Sequence, residues 1–130
     1  KQTKALVELL DLYPTLTDLC GLKSPPSLEG VSLKPILDDP SKTVKTGAFT
    51  QHPRPAYYRD KPKAMGCSIR TDHFRYTEWR DWKTGKVVAR EFYDHRSDPD
   101  ETRNVVNNPP DEKELMRSMR LLRKQFPTGK

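Results

Sequence analysis

Met65-Gly66-Cys67-Ser68-Ile69-Arg70-Thr71-Asp72-His73-Phe74-Arg75-Tyr76-Thr77-Glu78-Trp79 is the stretch on which the fold turns. From His73 to Trp79 aromatic and polar residues alternate, the pattern of a strand with one face buried. Met65 to Arg70 precedes it as another strand, and Thr71-Asp72 serves as a two-residue turn, although not of the favoured Asn-Gly type. Downstream, Trp82-Lys83-Thr84-Gly85-Lys86 holds a glycine turn and Val87 to Tyr93 gives the last strand. Upstream, Ala48-Phe49-Thr50 is a short strand that ends in Gln51-His52-Pro53-Arg54-Pro55, which its two prolines mark as a loop. Sequential strands joined by short turns favour an antiparallel meander.

Helices flank these strands. Leu6, Leu9, Leu10, Leu16 and Leu19 recur at helical spacing. Proline is tolerated only in a first turn, so Pro14 puts the start near Asp11, as the cap, and Gly21 is the stop. Leu22 to Pro40 is a connector, with one short helical turn at Ser32 to Leu37. At the other end, Leu115, Met119, Leu122 and Phe126 form one stripe over Asp111 to Phe126. That helix begins acidic (Asp111, Glu112, Glu114), ends basic (Arg123, Lys124), and is stopped by Pro127 and Gly129. The sequence therefore predicts an α+β chain: a small four-stranded antiparallel sheet, a C-terminal helix packed on one face, and a helix and linker before it.

Composition bounds the partners. Among 130 residues, 33% are hydrophobic and 32% charged, so the core is small, and twelve prolines imply many interrupted elements. Part of the apolar surface is expected to be buried against something else. The net charge of +6 suits a polyanionic partner or simply a solvated surface. The basic residues form no run and no nucleic-acid motif, which argues against nucleic acid. No apolar stretch is long enough to span a membrane. Cys20 and Cys67 stand far apart with no CxxC spacing. Both lie among apolar neighbours and read as buried free thiols, with a disulfide possible but unsupported.

A search for chemistry finds little. There is no phosphate-binding glycine loop, no H-E-x-x-H and no G-x-S-x-G. His52, His73 and His95 fall on different elements and suggest no metal site. Asp38-Asp39 and Asp98-Asp100-Glu101 lack calcium-loop spacing, and Asp98-Pro99-Asp100 reads as a turn. Cys67, with Arg70 close by, resembles a nucleophile but would be inert in a packed strand. The remaining feature is Arg54 between two prolines. A preorganised guanidinium can grip a carboxylate or sulfate in bidentate fashion, and Lys61 could add a second charge; equally, Arg54 could tie down its own loop.

Two blocks carry a resemblance. Asp11-Leu12-Tyr13-Pro14-Thr15-Leu16, Leu19-Cys20-Gly21-Leu22 and Leu28-Glu29-Gly30-Val31-Ser32-Leu33 resemble the last stretch of the catalytic domain of type I, formylglycine-dependent sulfatases. Gln51-His52-Pro53-Arg54-Pro55, Asp60-Lys61-Pro62, Met65 to Thr71 and Phe74 to Trp79 resemble the iduronate-2-sulfatases more narrowly. Phe92-Tyr93-Asp94, Asp98-Pro99, Glu101 and Asn104 resemble a closing segment common to sulfatases. His52 departs from the pattern where an aromatic residue is expected, and Cys67 where a tyrosine is.

The resemblance implies that residues 1–40 are the tail of a catalytic α/β domain and residues 41–130 a C-terminal subdomain lining one side of a substrate pocket. It implies Arg54, Lys61, Gln51 and His52 as substrate-binding positions, with no catalytic or metal-binding residue in this chain. Calcium and the formylglycine nucleophile are expected upstream, in the parent enzyme. Cys67 lacks the proline and arginine of the C/S-x-P-x-R motif, having Ile69 and Thr71 there, and Cys20 has Leu22 and Ser24. The implied partners are the upstream catalytic domain and a sulfated sugar or polysaccharide, such as 2-sulfated iduronate in glycosaminoglycans. The implied compartment is periplasmic, secreted or lysosomal. The alternatives are a stand-alone sulfated-polysaccharide-binding module and a sulfatase of another sugar specificity.

Overall fold

The computed structural model describes residues 2–56 and 61–128 of the chain. Asp60 of the Asp60-Lys61-Pro62 motif and Gly129 lie outside the described residues. The chain forms two compact units, Lys1–Ala48 and Phe49–Lys130.

In the first unit a single 3-10 turn, Leu9–Asp11, leads into helix α1, Leu12–Leu19. Pro14 sits in the first turn, where its missing N–H costs nothing. Gly21 ends the helix at φ +68°, a conformation open to glycine. Asp11 occupies the cap position, but its carboxylate does not cap α1. It is fully buried and instead accepts the Glu8 N–H at 2.8 Å, the Val31 N–H at 3.0 Å and Lys45 Nζ at 2.7 Å. Thr15 adds a second tie, its Oγ1 accepting the Leu33 N–H at 2.8 Å. These bonds pull the connector across the start of the helix. Gly30 lets it pass, because a Cβ there would lie 2.1 Å from the Leu10 carbonyl oxygen. The short helix α2 follows at Lys34–Asp38.

One feature of α1 differs from an ordinary packing helix. Its buried residues are Pro14 and Thr15, whereas Leu12, Tyr13, Leu16 and Leu19 are each more than half exposed, as are Leu9 and Leu22 beside it.

The second unit is the predicted meander. Strands β1 (Ala48–Arg54), β2 (Ala64–Arg70), β3 (Phe74–Asp81) and β4 (Val87–Asp94) lie in one sheet in chain order. β2 with β3 and β3 with β4 pair antiparallel, and the Lys63 N–H donates to the Arg54 carbonyl at 2.8 Å where the chain returns from β1. Two sequence expectations shift. Gln51 to Arg54 is strand rather than loop, because β1 is an edge strand and Pro53 leaves no ladder bond unmade on its open side. The β2–β3 turn is centred on Asp72-His73, one residue later than expected, since the Thr71 N–H already bonds the Phe74 carbonyl.

Helix α3, Glu112–Gln125, is capped by Asp111, whose side chain accepts the Glu114 N–H at 2.9 Å. Leu122 is fully buried, and Leu115, Met119 and Phe126 pack around it on Cys67, Ile69, Phe74, Tyr76 and Phe92. Phe74 and Phe92 stack at 5.0 Å, and Phe49 meets Phe126 edge-on at 6.0 Å.

The same face buries a charge. The Glu78 side chain, fully buried, accepts from Tyr76 Oη at 3.0 Å, Arg80 Nη2 at 2.9 Å and Arg123 Nε at 2.9 Å. Arg80 reaches on to the Phe126 carbonyl at 2.7 Å, so the network fastens the end of α3 to β3. Burial is the strongest single influence on the Glu78 carboxyl and pushes its pKa up. The bonds from Arg123, Arg80 and Tyr76 together outweigh it and hold the group below the usual range. Tyr76, buried beside that carboxylate, titrates higher than an ordinary tyrosine.

After β4, Asn104 substitutes for a further strand. Its Oδ1 accepts the Phe92 N–H at 3.0 Å and its Nδ2 donates to the Arg90 carbonyl at 3.1 Å. Asp98 is turn chemistry as expected, accepting the Thr102 and Arg103 N–H groups at 3.0 and 2.9 Å.

Candidate functional site

Side chains alternate along β1, so the four candidate residues do not all meet. Gln51 turns to the helix-covered face, where its Nε2 donates to Cys67 Sγ at 3.6 Å. Arg54 turns to the opposite face, and His52, two residues before it, shares that side. Lys61 is exposed on the segment returning to β2. Arg54 and His52 are also exposed.

The Arg54 position is built from three strands. Gly66 on β2 pairs with Trp79 on β3. A Cβ at Gly66 would lie 2.7 Å from the indole, so only glycine lets the ring lie across β2. The Trp79 Nε1–H donates to Glu91 Oε1 on β4 at 2.9 Å. The Arg54 guanidinium carbon then sits 4.8 Å from the centroid of that ring. A cation on an indole gains about 0.5–1 kcal/mol at an exposed site. Neighbouring arginines of β2 and β3 are engaged: Arg70 donates to the Thr71 carbonyl at 2.6 Å, and Arg75 pairs with Glu101 at 3.0 Å. No carboxylate among the described residues engages the Arg54 N–H donors, which are of the kind that grips an oxyanion.

The sequence pointed to Arg54 but not to its support. Trp79 closes the alternating stretch, and the sequence assigned it no face. It lies on the face opposite Phe74 and Tyr76, because Glu78 takes the next core position. The one local signal was the glycine inside β2.

Cys67 is 2% exposed in the core under α3 and is a free thiol. Cys20 is also free but exposed, contrary to expectation, because it follows α1, whose apolar side is uncovered. Among the described residues no group of three or more His, Cys, Asp or Glu side chains converges. His95 is engaged by Glu101, Nε2 to Oε1, at 2.6 Å. A groove of about 520 Å³ lies along the far edge of the sheet, lined by Val87, Val88, Arg90, Val106, Leu115 and Met119. It includes none of the candidate residues. No helix among the described residues is long and apolar enough to cross a membrane.

Comparison with known proteins adds the following. A family model described as N-sulphoglucosamine sulphohydrolase, C-terminal, matches residues 1–126. Arylsulfatase K of Xenopus laevis is 29% identical over 119 residues, which cover 89% of this chain and 22% of the relative. Iduronate 2-sulfatase of Mus musculus is 33% identical over 147 residues, covering 83% and 26%. A solved structure of a 2-O GAG sulfatase superposes with a TM-score of 0.70 at 29% identity, covering 88% of this chain and 23% of that one. A solved protein in complex with its substrate D-glucosamine-2-N,6-O-disulfate gives 0.70 at 28% identity, with the same coverage. The chain thus spans about a fifth to a quarter of the length of these relatives.

Proposed function

The chain belongs to the C-terminal domain family of N-sulphoglucosamine sulphohydrolases, and from that premise we propose that it is the substrate-recognition part of a sulfatase acting on sulfated sugars. In this reading residues 1–40 complete an upstream catalytic α/β domain and residues 41–130 form the recognition subdomain. The exposed leucines of α1 support it, since an apolar helix side left uncovered by the described residues suits a further neighbour. An upstream domain would hold the formylglycine and calcium, which together would supply the nucleophile and the sulfate-binding charge for ester hydrolysis. This chain binds and orients.

The observation that carries the proposal is Arg54: an exposed guanidinium without a carboxylate partner among the described residues, held over Trp79. Its role is to grip a carboxylate or sulfate of the sugar. Lys61 and His52 line the approach, and Gln51 anchors β1 through Cys67. Iduronate carries both a carboxylate and, when 2-sulfated, a sulfate, which suits a cationic rim. The pattern shared with iduronate 2-sulfatase favours that sugar. Arylsulfatase K is equally similar, and the D-glucosamine-2-N,6-O-disulfate complex is of comparable identity, which favours a second reading with another sugar sulfate.

The test is steady-state kinetics of the whole protein on 2-sulfated uronate and on 6-O- and N-sulfated glucosamine oligosaccharides. Arg54→Ala should lower kcat/KM on the preferred sugar about 10- to 100-fold, the worth of a charge-assisted hydrogen bond. Unchanged kinetics in a folded variant removes Arg54 from the site. Preference for glucosamine sulfates selects the second reading.

A further inference from the structure

We infer that Trp79 is a positioning residue for anion recognition: with Gly66 beneath it and Glu91 holding its indole N–H, it is the shelf that fixes where the Arg54 guanidinium can meet a ligand. This rests on the reading of Arg54 as the anion contact and adds a specificity element to it.

Three observations converge. The missing Cβ at Gly66 admits the indole, and any larger residue would meet the ring at 2.7 Å. The Trp79–Glu91 bond at 2.9 Å orients the ring in its plane. Arg54 lies 4.8 Å above it, with no ion pair among the described residues to hold it elsewhere. A long exposed arginine without such a platform samples many rotamers, and binding must order it. On the shelf one side of the guanidinium is occupied, so its N–H edge is left to donate. An edge presents parallel donors, which match the paired oxygens of a carboxylate or of one side of a sulfate. Trp79 is thereby expected to favour oxyanions that accept two bonds at once.

The experiment is a double-mutant cycle in the whole protein, read by KM and kcat on the preferred sulfated oligosaccharide. It is accompanied by NMR of the Arg54 side-chain protons, which a ring current shifts upfield. Trp79→Leu should raise KM about two- to fivefold, the fold-change matching one exposed cation–π contact, with kcat kept. The Arg54 protons should lose their upfield shift. Trp79→Phe retains a ring and should keep most of both signals. In an Arg54→Ala background, Trp79→Leu should change KM no further. An equal KM increase with and without Arg54 overturns the inference, as does an upfield shift that survives Trp79→Leu. If Arg54→Ala alone leaves KM unchanged, the anion-contact reading fails, and the NMR arm still decides whether Trp79 holds Arg54. Should Trp79→Leu not fold, Glu91→Leu, which removes the acceptor of the indole N–H, carries the comparison: the upfield shift of the Arg54 protons should shrink, and a shift left unchanged overturns the inference.

Discussion

Helices α1 and α3 are both amphipathic in sequence, yet among the described residues α3 has its apolar stripe covered and α1 does not. α3 lays Leu115, Met119, Leu122 and Phe126 on the sheet. α1 turns Pro14 and Thr15 inward and leaves Leu12, Leu16 and Leu19 outward. Among the described residues each unit also has one fully buried carboxylate, held differently. Glu78 is met by two arginines and a tyrosine, Asp11 by one lysine and two backbone N–H groups. The contrast teaches that the second unit carries its own core, whereas the first is shaped by polar ties and leaves its helix leucines exposed.

The largest expected effect lies at Glu78. Glu78→Ala leaves Arg80 and Arg123 without their acceptor and should cost about 3–5 kcal/mol of stability. Urea unfolding followed by fluorescence of Trp79 and Trp82 measures it. Asp11→Ala should cost less, about 1–3 kcal/mol, because Lys45 keeps Glu8 at 2.6 Å. Exchange of the Val31 amide reads that unit. Equal losses would erase the distinction between the two carboxylates. The pH response has a definite sign. Glu78 has a folded pKa below its unfolded value, near 4.5, so its stabilisation is present above that pH. It is lost as pH falls through the lowered folded value. Glu78→Gln should flatten the acid limb of the urea midpoint; an unchanged limb would remove Glu78 as its source.

The helices provide the next contrast. Leu122→Ala should destabilise the second unit by about 2–5 kcal/mol. Leu16→Ala, at a residue 61% exposed, should change the stability of this chain by less than about 0.5 kcal/mol. In the whole protein Leu16→Ala should be as costly as a core substitution if a catalytic domain covers α1. A negligible change there too would break the comparison.

What the sequence made legible follows the range of each interaction. The β3 alternation and the α3 stripe are local patterns, and both elements lie where expected. The Gln51 to Pro55 segment was misread because two prolines argue against a central strand, and sequence does not reveal that β1 is an edge. The burial of Glu78 was invisible, since a lone glutamate in an alternating strand looks solvated and its partner Arg123 is 45 residues away. The candidate site shows the same division. Arg54 stood out between prolines, whereas the Trp79 shelf depends on register across three strands.

We propose that this chain recognises the substrate and leaves the chemistry to an upstream domain. Assaying the chain alone beside the whole protein, on an aryl sulfate and on a 2-sulfated uronate oligosaccharide, tests it most directly. The predicted result is sulfate release by the whole protein and none by the chain alone; turnover by the chain alone would contradict it.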